Sequence, residues 1–507
     1  MRKRFLINLI GMLGMILIFP SCTLRLAHNA TTGNEINGNN DVNGGGGMIP
    51  VLNDLVINDS STTYITLQQP TFEIPGDPTP TVYAYIGFDG VISVSDSVVS
   101  GYLQGPIDVS SNDHMFEDLV LDTAYRIIVV AENSEGYSVE EIVQSTILCV
   151  EVVSFPDAAL EALIRDEIEK PAGDICLEDL PPITSLNANE LGIVDLTGLE
   201  NCTNLTTLAL GYNDIIDVSA LGALTNLTEL DLRENEIVDI SGLTTLTSLT
   251  YLNLTDNNIM DVALLATLTN LTTLGLSYND IADINDLSTL TSLTGLSLRE
   301  NEIIDVSGLG TLTELTVLDL NDNNIVDVSA LNALTNLTTL GLSYNDIVDI
   351  DGLATLTNLT ELGLRENEVV NVDGLSTLTN LTYLNLTDNN IVDVAPLATL
   401  TNLTTLGLSY NDIADINNLS TITSLTELSL RENEIIDLAA IAPLTSLMYL
   451  DLIDNNITDI AGIVTNFESG GLGAGDTVEL VLNPLSDQAK TDAATLQAAG
   501  VNINWTP

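Results

Sequence analysis

Asparagine recurs at an unbroken interval of 22 residues, at Asn213, Asn235, Asn257, Asn279, Asn301, Asn323, Asn345, Asn367, Asn389, Asn411, Asn433 and Asn455. Each sits in the pattern L-x-L-x-x-N-x-I, as in Leu208, Leu210, Asn213 and Ile215. A unit this short cannot enclose an apolar interior of its own, so successive units must cover one another's leucines. The chain is thereby constrained to a solenoid, whose core grows with every added unit and escapes the size limit of an ordinary globular domain.

Within each unit the alternation around L-x-L makes a short strand with leucines inward and flanking residues outward, so stacked units build one parallel sheet. Period and pattern are those of leucine-rich repeats. The expected fold is an α/β-type solenoid, with the sheet on its concave face and short helical turns on its convex face. At the bend after the strand, asparagine can donate and accept at once and so serve backbone groups of adjoining turns. The twelve asparagines therefore read as a structural ladder. Four residues after each stands aspartate, from Asp217 to Asp459 except at Asn371, where it suits the cap of a short helical turn. Calcium is the alternative for such a row, but the glycine and closing glutamate of an EF-hand loop are missing, so no metal is assigned.

The chain opens with Arg2, Lys3 and Arg4, an apolar run from Phe5 to Phe19, and then Pro20, Ser21 and Cys22, the plan of an export signal over 1–21. A helix of that run reaches only about 22 Å, short of a bilayer core of roughly 30 Å, so it is expected to be cleaved rather than to span. Cys22 after a small residue resembles a bacterial lipobox, which implies acylation and a lipid-anchored mature chain at the cell surface or outer membrane. A plain secretory cut nearby, for instance after Ala30, is the alternative. Residues 22–50, with many Asn and Gly including Gly44 to Gly47, read as a flexible tether. Acidic residues number 71 against 12 basic ones, which disfavours nucleic acid and anionic lipid surfaces and favours cations or basic proteins as partners. With Cys22 set aside, Cys149, Cys176 and Cys202 allow one disulfide within the chain. Cys202 stands where the next unit has Leu224 and reads as a small core residue, with a Cys176–Cys202 staple as the alternative.

Residues 51–148 carry β-rich stretches between turn signals, such as Val82 to Ile86 and Tyr125 to Ala131, as in a small all-β sandwich. The stretch Leu119 to Ser138, LVLDTAYRIIVVAENSEGYS, resembles the end of a fibronectin type III domain. Tyr125 falls six residues after Leu119, as in that family's tyrosine corner, and Asn133 with Gly136 match the following turn. The early tryptophan of that family is missing, since Trp505 is the only one. The resemblance implies a spacer or interaction module. In residues 150–185, Leu160, Leu163, Ile164 and Ile168 lie at helical spacing after Pro156 and Asp157, forming an N-terminal cap. Repeats fill 186–483, the first degenerate, with Leu191 in place of asparagine, and the last reading Val478, Leu480, Asn483 and Leu485 after a Gly-rich insertion. Residues 484–507 form a closing cap of a short helix and a strand. The 22-residue period, N-x-I-x-D, the helical cap and the N-P-L-S terminus are similar to the internalin-like class of bacterial leucine-rich repeat proteins, over roughly Val152 to Trp505. That resemblance implies a surface-displayed protein that recognises a partner, by analogy a host or neighbouring-cell surface protein.

The outward residues carry a second period of 66. Tyr212, Tyr278, Tyr344 and Tyr410 lie in one unit, Arg233, Arg299, Arg365 and Arg431 in the next, and Asp256, Asp322, Asp388 and Asp454 in the third. These rows form the candidate binding face. The four arginines are the only basic residues between Leu186 and Asn483. Internal ion pairing and plain duplication of a triplet account for the pattern, and a periodic contact face is the alternative, since Tyr and Arg are enriched among interface anchors. Tyr251, Tyr383 and Tyr449 add aromatic surface, and Val317 interrupts their row. The function expected is recognition of a protein, or adhesion, by an exported surface protein. An acidic envelope protein without a specific partner and a glycan-binding protein are the alternatives. His28 and His114 are the only histidines and lie outside the repeats, so the solenoid holds no catalytic histidine pair and no HExxH zinc site. Evenly recurring carboxylates also argue against one acid pair for glycoside hydrolysis, so neither enzyme activity nor a cofactor is assigned. N-L-T triplets such as Asn204 to Thr206 match the glycosylation acceptor rule but belong to the repeat.

Overall fold

A computed structural model describes residues 151–505 throughout and, before them, only the backbone of strands between Leu52 and Ser145. The chain divides into two compact units, Met1–Leu148 and Cys149–Pro507. The export signal, Cys22 and the whole tether lie outside the described residues. In the first unit the strands pair antiparallel. Four form a sheet in the order Gly136–Ser145, Ala124–Asn133, Thr81–Phe88 and Gln104–Asp108. The hairpin pairs continuously from Ala124 opposite Ser145 to Asn133 opposite Gly136, which puts its turn at the Asn and Gly singled out in the sequence. A smaller sheet joins Ile57–Asp59, Ile65–Leu67 and His114–Phe116. The corner assigned to Tyr125 concerns a side chain outside the described ones.

The second unit is built on one sheet of fifteen parallel strands in strictly sequential order, from Ser185–Asn187 to Asn502–Asn504. Each strand is three residues long and, up to Leu450, pairs one period away, Leu208 with Leu230 and Leu230 with Leu252. The central leucine of every strand from Leu186 to Leu450 is buried, as are the Ile or Val after the bend and the leucines of the returning segment. The return passes through short 3-10 turns such as Ser219–Ala223 and Ala263–Thr267. The solenoid expected from the period is therefore the fold.

The asparagine ladder closes the bend. Asn345 Nδ2 donates to the carbonyl of Leu320 in the preceding coil (3.0 Å) and to those of Leu342 and Ser343 in its own (3.0 and 3.2 Å). Its Oδ1 accepts from Ile325 N at 3.0 Å. The same set recurs at every position from Asn213 to Asn455, and Asn483 continues it by donating to Leu452 O and accepting from Ile457 N. Two further ladders were not apparent in the sequence. Thr228 Oγ1 donates to Thr206 O, Thr250 to Thr228 O, and so on at 22-residue steps to Thr426. Beside them Asn226, Asn270, Asn336 and Asn358 donate from Nδ2 to a carbonyl 23 residues back. The N-L-T triplet is thus two coil-to-coil donors flanking one buried leucine.

Each aspartate four residues after the ladder acts one position earlier than a standard N-cap. Asp217 Oδ1 accepts from Ser219 N, the first residue of its turn, at 2.8 Å, and Asn371 does the same for Asp373 N at 2.9 Å. These backbone donors hold the Asp217 and Asp327 carboxyls below their ordinary range. Both ends of the stack are covered. Helix α1 (Ala158–Glu167) buries Leu160 and Ile164, and Asp157 caps it by accepting from Ala159 N and Leu160 N while its other oxygen accepts from Val194 N of the first repeat. At the far end, α2 (Ala461–Glu468) replaces a 3-10 turn, and α3 (Asp487–Ala498) buries Ala489, Ala493 and Leu496 before the last strand. Cys202 is buried and free, its thiol pushed up to about 12 by burial and then by Glu200. Cys176 is disulfide-bonded to a partner outside the described residues, so a Cys176–Cys202 staple is not formed.

Asn345→Leu is expected to destabilise the solenoid by about 1–3 kcal/mol, because one carbonyl-facing amide and one N–H acceptor vanish from a buried bend. A lower urea midpoint measures this. An unchanged midpoint would mean that water replaces the side chain there.

Candidate binding face

Three columns of side chains leave the sheet beside the inward leucines. The first holds Tyr251, Tyr383 and Tyr449, the second Asp231, Asp319 and Asp451, and the third Arg233, Arg299, Arg365 and Arg431. The residue that follows the third column has positive φ in every coil. Tyr212, Tyr278, Tyr344 and Tyr410 lie at φ 55–59°, and Glu and Asp occupy the equivalent place in the other two coils of each triplet. A non-glycine residue is disfavoured there by roughly 1 kcal/mol or more. The coil-to-coil bonds on either side hold it, as Tyr344 N donates to Arg365 O at 2.7 Å and Asn345 N to Glu366 O at 3.2 Å.

That conformation brings each tyrosine under the arginine of the next coil. The guanidinium carbon lies 5.3 Å from the ring centre in the Arg233–Tyr212 pair, 5.9 Å for Arg299–Tyr278, 5.4 Å for Arg365–Tyr344 and 5.8 Å for Arg431–Tyr410. These are cation–π distances. The tyrosines remain 37–41% exposed and the arginine side chains 36–42%. The structure thus unites the Tyr and Arg rows in all four copies. The Asp row joins them only once, where Arg299 Nη2 lies 3.1 Å from Asp322 Oδ2. Among the described residues Asp256, Asp388 and Asp454 pair with no arginine, because the other guanidinium groups turn elsewhere. Arg365 and Arg431 pair with Glu366 and Glu432 beside them, at 2.9 and 3.4 Å, and Arg233 Nε lies 3.2 Å from Asp231 Oδ2. The Nε groups of Arg299 and Arg365 find no hydrogen-bond acceptor among the described residues.

The second column escaped the sequence reading as a distinct site. Burial raises the carboxyls of Asp231, Asp319 and Asp451, and it outweighs both the neighbouring arginine and the backbone donors that pull them down. Burial likewise raises the Tyr278 hydroxyl. Between the acids the column narrows to glycine. At Gly407 an added Cβ would meet Asn385 Oδ1 at 2.8 Å and Thr387 Oγ1 at 3.0 Å. The space over it is a hollow of about 160 Å³ between Tyr383 and Tyr449, with Asn385 and Glu427 on its walls. Among the described residues, no three metal-binding side chains converge and no helix is long and apolar enough to cross a membrane.

A sheet of stacked coils with an asparagine at each bend defines a leucine-rich repeat solenoid. The family described as leucine-rich repeats (2 copies) matches residues 203–245, 225–266, 247–289, 291–333, 335–377, 357–400 and 379–421. No curated protein matches in sequence. Among solved structures, an internalin (inlF) of Listeria monocytogenes is similar at 35% identity and TM-score 0.60, over 63% of this chain and 96% of that one. A leucine-rich repeat protein of Leptospira interrogans is similar at 26% identity and TM-score 0.59, over 65% of this chain and 85% of that one. The chain belongs to the leucine-rich repeat family, and its solenoid is of the internalin type.

The raised Asp319 carboxyl makes a pH-dependent prediction. A group whose folded pKa is raised contributes stability that is full below its unfolded value, about 3.9, and lost as pH rises through the folded value. Asp319→Asn, which keeps an acceptor for Asn321 N, is therefore expected to raise Tm at pH 7 and to give no advantage below about pH 4. Equal Tm values at pH 7 would show that Arg299 fully compensates the buried charge.

Proposed function

We propose that this protein is exported, displayed at a bacterial cell surface, and recognises a protein partner through the exposed face of its repeat sheet. The observation that carries this reading is the set of four half-exposed Tyr–Arg stacks, one per three coils and so about 14 Å apart. Aromatic rings and guanidinium groups are the side chains that most often anchor interfaces. A stack also restricts both side chains before binding, which lowers the entropy lost on contact. The similarity to an internalin favours a partner on another cell, in adhesion. An acidic coat without a partner would need no such stacks. Glycan binding at the hollow between Tyr383 and Tyr449 is a second outcome that the same assay separates.

Display rests on the N-terminal sequence. Cys22 is the residue proposed to carry the lipid, 22–50 the tether, and 51–148 a fibronectin type III-like spacer that raises the solenoid from the membrane. Mass spectrometry of the mature protein is expected to show an acylated N-terminus at Cys22. An unmodified N-terminus near Ala30 would point instead to a secreted chain.

For recognition, the mature chain is expected to bind cell-surface protein saturably at physiological salt. Arg299→Gln with Arg365→Gln should weaken binding at least tenfold, about 1.4 kcal/mol, while circular dichroism stays unchanged. Full binding by that variant would refute the assignment of the stacks. Capture that is only salt-sensitive and unsaturable would favour the acidic coat, and retention on polysaccharide lost with Tyr383→Ala would favour glycan.

A further inference from the structure

After every ladder asparagine the chain carries two adjacent apolar residues or their equivalents, and only the first turns into the core. Ile303 is fully buried whereas its neighbour Ile304 is 62% exposed. In ten coils, from Val194 to Ile436, the outward residue is Val, Ile or Met with 45–63% of its surface exposed. Ala282 and Ala414 fill two of the gaps. These residues form a stripe along one flank of the solenoid, separate from the Tyr–Arg face. Parallel bridges join Asp305 to Asp327 and Asp327 to Asp349, so the coils keep sheet spacing on this flank as well. Near its middle the stripe dips into a hollow of about 270 Å³ lined by Ile304, Val326 and Ala330, with Asp305 and Asp327 at its border.

Carboxylates rim the stripe on both sides. Asp or Glu precedes the apolar residue by two positions in eight coils, as at Glu302 and Asp346, and Asp follows it directly in every repeat but that of Asn371. The following aspartates use one oxygen on their own turn, as Asp327 Oδ1 does for Ser329 N. The preceding ones, Glu302 and Glu368 among them, are exposed and make no side-chain hydrogen bond among the described residues. The four arginines of the repeats all lie on the other face, so no basic side chain of the repeats neutralises the rim.

We propose that this flank is a docking site for a cationic amphipathic helix. Its seam residues recur about every 5.4 Å, once per turn, and the stripe offers one apolar residue about every 4.8 Å. Matched at Val348, the two rows diverge by no more than about 1.2 Å at either end of the four intervals from Ile304 to Val392, with a large seam residue in the hollow. Lysines or arginines beside the seam meet a carboxylate row on either side. A second copy of this chain, itself carrying a formal charge of −59, is repelled by the same rim.

The test uses the mature full-length chain and a labelled Leu/Lys peptide of about 18 residues patterned as an amphipathic helix, at physiological salt. Saturable binding is expected, with gain of helical signal, and a scrambled peptide of the same composition should bind at least tenfold more weakly. Ile304→Ser with Val326→Ser should lose at least tenfold in affinity, and so should Glu302→Gln with Glu368→Gln, which leaves the apolar stripe intact. Arg299→Gln with Arg365→Gln should bind the peptide normally, so failure here is distinguishable from failure of the sheet-face reading. No binding, equal binding of the scrambled peptide, or full affinity in both stripe variants would overturn the proposal. Self-association of the wild-type chain that the Ile304→Ser, Val326→Ser variant abolishes would also overturn it, by assigning the stripe to a second copy.

Discussion

The bend after each strand is where this solenoid is decided. Three carbonyls and one N–H converge there in a buried place, and a single asparagine amide answers all four. Unpaired, such groups would each forfeit a hydrogen bond's worth of free energy in a medium that cannot supply water. No aliphatic residue can do this, and an aspartate would bring charge and lose both donors. Because the acceptors belong to two successive coils, the amide also fixes the distance between them. An insertion of one residue would move the side chain off the carbonyl 25 residues back, which explains why the spacing never drifts between Asn213 and Asn455.

From that constraint the surfaces follow. When every coil repeats its neighbour's path, residues 22 positions apart line up, and any side chain repeated in sequence becomes a straight column in space. The ladder also holds the residue before it at positive φ, a conformation for which glycine is the usual choice. Here tyrosine, glutamate and aspartate fill it, because glycine would leave the column bare. The conformational penalty is offset by backbone bonds on both sides, and it places each Tyr ring beneath the Arg of the following coil. The Tyr–Arg face is in this sense a by-product of the same bend that closes the core.

How much of this could be read beforehand depended on whether an interaction had its own period. The ladder, the inward leucines, the terminal helix with Asp157 and the buried Cys202 were all legible, since residue type and spacing jointly require one environment. The Thr and Asn donors of N-L-T were not. Their residue types are equally at home in exposed loops, and only the coordinates show a carbonyl of the preceding coil within reach. The exposed Ile and Val row was hidden for the opposite reason. In N-D-I-I-D-V the two apolar neighbours look alike, and which one faces inward is settled by the bend. Which acid each arginine meets was not legible either, because ion pairing is set by rotamers: Arg233, Arg365 and Arg431 pair with an acid on their own coil, whereas Arg299 reaches Asp322 in the next.

Those differing acids bear on whether the triplets are a relic of duplication or a maintained surface. Around the four arginines the strand position two residues earlier reads Asp231, Ser297, Gly363 and Ser429, and the one before the central leucine reads Glu229, Gly295, Glu361 and Glu427. Both sites lie on the outward side of the sheet and differ among the four copies. Arg and the Glu after it do not, nor does the Tyr one coil before. An arginine retained only to neutralise a particular carboxylate would lose its purpose when Asp231 is replaced by serine or glycine. All four copies share the guanidinium on the ring and the Glu that follows the arginine. The stack and the Glu beside it are what all four copies share, whereas the acid two residues before the arginine is not shared.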